Sequence, residues 1–155
     1  MQDKTRFAES LRDYVCQELL TDRLIDLAFH AELEPEAVFE TLHPLLVRDT
    51  PLHALTLLHA ALADPRLTLA VMHATLDALR ALRDWRDDTL RDTVLRAAAE
   101  HAVAPRDAHA ICTGWMLFGP STLELYPSMA ALGREAVCRR GETAARALRA
   151  GMLVS

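Results

Sequence analysis

The stretch DPRLTLAVMHATLDALRAL, residues 64–82, decides the fold class. Its large apolar residues recur at intervals of three and four, which is the spacing of one face of an α-helix. The same spacing returns over residues 90–102, whereas the sustained alternation of apolar and polar residues that marks a strand is hard to find. The sequence therefore predicts an all-α protein. The apolar positions of the first stretch are Leu69, Met72, Leu76, Leu79 and Leu82.

Prolines mark the predicted helix starts. In Thr50-Pro51 and Asp64-Pro65, a capping oxygen precedes a proline at the first helical position, where the missing N–H costs nothing. Glu34-Pro35, Ala104-Pro105 and Gly119-Pro120 predict three further starts. With the apolar spacing, these signals predict helices near residues 4–20, 22–31, 35–47, 51–63, 65–83, 88–103, 105–112, 120–131 and 133–150.

The chain is long enough for one compact domain or for two small helical layers. The polar run RDWRDD at residues 83–88 interrupts the apolar pattern, so we expect an N-terminal helical subdomain, 1–84, and a C-terminal one, 85–155. One compact domain is the alternative. No apolar run is long enough to span a membrane, and the start MQDKTRFAES lacks a signal-peptide core, which predicts a cytoplasmic protein that does not bind membranes.

The residue patterns of catalytic and metal sites are missing. The sequence contains no Gly-x-Ser-x-Gly motif, no glycine-rich phosphate loop and no pair of histidines four residues apart. Cys16, Cys112 and Cys138 are odd in number and widely spaced, which is typical of reduced core thiols. We therefore expect no enzyme activity, no cofactor and no metal.

The charge is uneven along the chain. Net charge is −5, but residues 133–151 carry five arginines and two glutamates, a local charge of +3 that leaves −8 for the rest. A basic stripe on an acidic body is compatible with nucleic-acid binding. Just before this stripe, AICTGWMLFGPSTLELYPSMAALGRE (110–135) gathers Trp115, Phe118 and Tyr126 with two proline breaks, Gly119-Pro120 and Tyr126-Pro127.

Two interpretations of this aromatic stretch are open. Aromatic side chains at turns beside arginines suit the stacking of unpaired bases, with the arginines on phosphates. Alternatively, the stretch is a helix–helix corner whose aromatics fill the core. The chemistry of the residues alone favours the corner.

Taken in order, the motifs resemble the C-terminal anticodon-binding region of bacterial glutamyl-tRNA synthetases. Trp85 leads the helix TLRDTVLRAAAEHAVAP (89–105), AHAICTG (108–114) follows, and LGREAVCRRGETAARAL (132–148) matches the family's arginine-rich Gly-Lys/Arg-Glu helix. Residues 122–126 fall on the family's Thr-Pro-Gly-Leu-Phe turn, which lies against anticodon bases. LLVRDTPLHAL (45–55) is similar to a family helix junction whose anticodon-reading arginine falls on Arg48.

The resemblance implies an all-α, right-handed bundle or cage of two small helical layers that binds tRNA without catalysis. Tyr126 and Trp115 would stack on bases beside Leu125, while Thr122 and His109 would make polar contacts. Phosphates or base edges would meet four arginines: Arg48, Arg134, Arg139 and Arg140. The expected partners are tRNA, with glutamate tRNA first, and an enzyme that uses the tRNA.

The chain also departs from the family. His109 stands where a base-contacting arginine is expected, and Glu124 replaces a glycine. The catalytic domain is absent, and its lysine-rich loop has no counterpart because Lys4 is the only lysine. The alternative function is a protein-interaction module that kept the scaffold and lost RNA binding, with an exposed patch of Trp115, Met116 and Phe118. The initiating methionine and helical start favour a freestanding protein over a fragment of a longer synthetase.

Overall fold

The computed structural model describes residues 3–11, 21–46, 50–119, 121 and 123–154. These residues are all-α, as predicted, and form nine helices without strands. None of the described helices is long and apolar enough to cross a membrane. The helices are α1 (Lys4–Leu11), α2 (Asp22–His30), α3 (Pro35–Leu46), α4 (Leu52–His59), α5 (Pro65–Ala81), α6 (Asp87–Ala99), α7 (Pro105–Leu117), α8 (Leu125–Leu132) and α9 (Arg134–Val154).

Two predicted boundaries are wrong around residues 112–125. α7 continues past Cys112 to Leu117, because Gly114 is a packing position and not a helix stop. A β-carbon on Gly114 would stand 2.9 Å from a methyl carbon of Leu58, so glycine allows α4 to approach α7 closely. α8 begins at Leu125 and not at 120, and Pro127 lies in its first turn, where a missing N–H costs little.

One predicted proline cap is confirmed and another is wrong. The carboxylate of Asp64 accepts a hydrogen bond from the Arg66 backbone N–H at 3.0 Å, and Pro65 is the first residue of α5. Thr50 does not cap α4, because Pro51 holds the N-cap position. Its buried hydroxyl instead donates to the carbonyl of Trp115, 65 residues away, at 2.9 Å. Thr50 thus ties the start of α4 to the last turn of α7.

The long helix α5 lies at the centre of the fold, with α6 and α9 as its most extensive neighbours. The buried cluster draws side chains from helices on both sides of residue 84. The proposed division into subdomains 1–84 and 85–155 stays a prediction. Cys112 and Cys138 are free and buried, as expected for core thiols, and Cys16 lies outside the described residues.

Close contact between α5 and α9 depends on Gly141. A β-carbon at this position would stand 2.4 Å from a methyl carbon of Leu76 and 3.3 Å from the Trp115 ring. Both neighbours are 1% exposed, so neither has free space into which to move. Glycine at residue 141 therefore sets the distance between the two helices.

We predict that Gly141→Ala destabilises the protein by about 1–3 kcal/mol, because forcing a methyl group into a packed core costs more than the helix propensity gained. Gly151→Ala is the matched control, since nothing lies within 4 Å of its β-carbon position in the same helix. Urea unfolding followed by circular dichroism gives both free energies. Equal stability of the two variants would show that α5 and α9 do not pack closely at Gly141.

Candidate nucleic-acid interface

The corner between α7 and α8 is built on two residues with positive φ. Phe118 ends α7 in the left-handed region with φ of 67°, and Gly119 follows with φ of 127°. The Ser121 hydroxyl accepts a hydrogen bond from the Leu123 N–H at 3.1 Å, and Ser128 donates to the Glu124 carbonyl at 2.7 Å. These contacts involve the described residues between α7 and the first turns of α8.

Most of the aromatic stretch faces inward. Trp115 is 1% exposed, Met116 is fully buried and Phe118 is 9% exposed. The prediction that Trp115 stacks on a base is therefore wrong, and so is the alternative of an exposed partner patch formed by these three residues. Their burial confirms the interpretation of the stretch as a helix–helix corner that fills the core. Leu125, also predicted to contact RNA, is buried at 3% exposure.

Arg140 is a structural residue, so the prediction that it meets phosphate is wrong. Its side chain is buried at 2% exposure. The guanidinium donates to the carbonyl of Met116 at 2.8 Å, in the last turn of α7, and to the carbonyl of Pro44, in the last turn of α3. It also lies 5.4 Å from the centre of the Phe118 ring. A cation is favourable at helix C-termini, where carbonyls lack partners within the helix.

The helical spacing of apolar residues in the sequence indicates that Trp115 and Arg140 are buried. Trp115 continues a row of buried residues on α7, after Ala108, Ile111 and Cys112. Arg140 lies on the face of α9 that also carries Val137 and Gly141, both buried. An arginine on an apolar helix face is the mark of a structural cation. The identity of its carbonyl partners, 24 and 96 residues away, was not readable from the sequence.

His109 and Tyr126 form the part of the corner that meets solvent. His109 is exposed on α7 and Tyr126 is partly exposed on α8. Their ring centres are 6.0 Å apart in an edge-to-face arrangement. Burial raises the pKa of Tyr126 to about 12, a shift that the charge of Arg91 opposes. The phenol is thus neutral at physiological pH and able to donate a hydrogen bond.

An open recess of about 360 Å³ lies beside His109. The exposed face of α7, including Thr113, forms one side, and Ser121, Leu123 and Leu125 form the other. The hydroxyl oxygen of Thr113 is buried and has no hydrogen-bond partner within the part of the chain that the structure describes. Buried polar atoms are almost always satisfied, so this hydroxyl in the wall of the recess is an exception. Thr113 was missed by sequence reasoning, because an isolated threonine in a helix carries no signal.

The remaining predicted residues differ in availability. Arg134 is exposed, but its guanidinium lies 5.5 Å from the centre of the Trp85 ring and donates to the carbonyl of Leu82 at the end of α5. Arg139 is exposed on α9, and so is Glu124 at the start of α8. Arg48 and Thr122 lie outside the described residues.

No model of a known protein family matches this chain, and no curated protein is found to be similar to it. Across the ranges that the structure covers, no three His, Cys, Asp or Glu side chains are placed to hold a metal ion together. The candidate interface is therefore the ring pair of His109 and Tyr126, the recess beside it and the exposed cations of α9.

We predict that Arg140→Met lowers the free energy of unfolding by about 3 kcal/mol or more, because it leaves two helix-end carbonyls without their charged donor. Arg140→Lys should recover only part of the lost free energy of unfolding, since an ammonium lacks the planar arrangement of several N–H donors that a guanidinium has. Arg139→Met, the exposed neighbour, should change stability by less than about 0.5 kcal/mol. Denaturant unfolding measures all three, and an Arg140→Met protein as stable as Arg139→Met would contradict the structural role.

Proposed function

We propose that this chain is a non-catalytic tRNA-binding protein that holds a tRNA for a partner enzyme. The observation that carries the proposal is the solvent-facing ring pair of His109 and Tyr126 beside an open recess of about 360 Å³. Sequence-specific RNA recognition in general targets unpaired bases, which stack on aromatic side chains and bond through their edges. The corner offers a surface for both kinds of contact.

The chemistry of the corner suits an unpaired base. The two rings meet edge to face, and on our proposal the exposed His109 ring and the partly exposed Tyr126 ring offer a stacking surface to a flat ligand. The exposed His109 ring supplies polar atoms for the base edge, and Thr113 lies in the wall of the recess. Leu123 and Leu125 give the recess an apolar side. These features support a site for one base in an extruded conformation.

Backbone contacts would come from the exposed arginines of this region, Arg139 and Arg134. Glu124 at the edge of the corner opposes them, since its charge repels phosphate. We therefore propose binding that is weaker than that of a dedicated tRNA reader. The sequence likeness of residues 122–126 to the anticodon-contacting turn of glutamyl-tRNA synthetases makes glutamate tRNA the first ligand to test.

We predict that Tyr126→Ala weakens tRNA binding about 5- to 150-fold, which corresponds to the loss of one stacked base. Tyr126→Phe should bind nearly as well as the unchanged protein, because the ring remains. Filter binding across a salt series measures affinity, and each neutralised phosphate should add about 0.7–0.9 to the log-log slope.

Circular dichroism of both variants controls for folding. An equal loss in the Ala and Phe variants would contradict stacking by Tyr126, and affinity that does not change with salt would contradict contacts to the RNA backbone. Retained RNA should be sequenced, because enrichment of one tRNA identifies the ligand.

A second candidate function, a protein-interaction module, is favoured by a different observation. Leu52 is 79% exposed and Leu57 is 54% exposed on α4, and a methyl carbon of Leu57 lies 3.8 Å from the β-carbon position of Gly119. Large exposed apolar side chains are a feature of protein-binding surfaces. Leu52 and Leu57 differ from the Trp115 patch expected from the sequence, and Leu57 adjoins the corner.

We predict that the double change Leu52→Ser/Leu57→Ser leaves tRNA affinity within about twofold, since neither side chain offers a charge or a ring to RNA. If the protein acts through a protein partner instead, this double variant should lose the partner while Tyr126→Ala keeps it. Pull-down with each variant, followed by RNA and protein analysis, separates the two functions. A large loss of tRNA binding in the leucine variant would contradict the proposed location of the RNA site.

A further inference from the structure

A second open recess, of about 240 Å³, lies between α5 and α9, and its lining includes three arginines, one histidine and one carboxylate, Glu142. α5 contributes His73 and Arg80, and the second half of α9 contributes Arg146 and Arg149. Leu76 and Ala145, both 1% exposed, lie at its base. We name this recess the α5–α9 groove.

Arg80 is paired with the two carboxylates nearest to the groove, those of Asp77 and Glu142. Arg80 donates through one terminal nitrogen to Asp77 at 3.1 Å, and through the other to Glu142. Glu142 is one helical turn from Arg146, but its carboxylate is directed across to α5. Within the described ranges, Arg146 and Arg149 have no ion pair or hydrogen bond through their side chains. The groove thus has a surplus of positive charge, in a chain whose net charge is −5.

The groove continues a row of cations along α9. Arg139, Arg146 and Arg149 are spaced by seven and three residues, so they share the exposed face of the helix. At 1.5 Å per residue, this row is about 15 Å long. Like charges so close together repel each other, and a polyanion bound along the row would remove that repulsion.

We propose that the α5–α9 groove binds the phosphate backbone of RNA, with Arg146 and Arg149 on phosphate oxygens and His73 and Arg80 at the edge. This inference rests on the proposed function and assigns to it a second contact, outside the corner. Arginine suits the role because its planar fork donates two parallel hydrogen bonds to a phosphate. RNA is favoured over an acidic peptide because Arg139, in the same row of cations, is already proposed to contact the RNA backbone.

The test is the double variant Arg146→Gln/Arg149→Gln, with Arg83→Gln/Arg96→Gln as the control of equal charge. All four arginines are exposed, so both variants should fold, which circular dichroism checks. The probes are total tRNA, a short blunt-ended RNA duplex without unpaired bases, and a poly-glutamate peptide. We expect the groove variant to lose at least tenfold in affinity for tRNA and for the duplex. Its salt slope should fall by about 1.4–1.8, whereas the control should stay near the unchanged protein.

The outcomes separate this inference from the proposed function. If Tyr126→Ala weakens tRNA binding but the groove variant matches its charge control, the groove inference is wrong and the base site stands. If the groove variant loses the duplex while Tyr126→Ala changes neither RNA, the groove is supported and the base site is wrong. If poly-glutamate binds more tightly than RNA and depends on Arg146 and Arg149, the groove takes an acidic protein and the inference is overturned.

Discussion

A buried guanidinium joins the ends of two helices in this protein, and the corner that follows depends on it. Arg140 donates to the carbonyls of Pro44 and Met116 and lies against the Phe118 ring. Hydrogen bonds from a charged donor are stronger in a poorly solvated interior than in water. Here they satisfy backbone carbonyls that have no partner within the helix at its C-terminal end. By fixing the last turn of α7, it also fixes where the chain reverses and where the recess beside His109 opens. The RNA site that we propose at this corner would therefore depend on a buried arginine that does not itself contact the RNA.

The aromatic and basic residues of the C-terminal half fall into two groups, one buried in the core and one at the surface. Trp115, Phe118 and Arg140 build the interior, where Gly141 lets α5 and α9 approach closely enough to enclose the Trp115 ring. Tyr126 and His109 remain at the surface, and the exposed arginines lie on the opposite face of α9. A chain with few aromatics concentrates them here because this corner needs both a rigid core and, on our proposal, a stacking surface.

The sequence predicted the fold class well because apolar spacing in helices such as α5 is strong and local. It predicted the Asp64 cap for the same reason, since the partner N–H is two residues away. It misjudged Thr50, Trp115 and Arg140, whose partners are distant in the chain and are brought close only by packing. Composition could indicate an aromatic and basic region, but it could not say which rings face inward. The unpartnered hydroxyl of Thr113 and the groove beside His73 likewise exist only in three dimensions.

Hydrogen exchange of the protein with and without tRNA tests the central claim most directly, because it locates the bound surface without any substitution. The account predicts slower exchange at the α7–α8 corner, in residues 109–113 and 123–129, and along the second half of α9, with α4 unchanged. Slower exchange confined to α4, or no change at saturating tRNA, would contradict it.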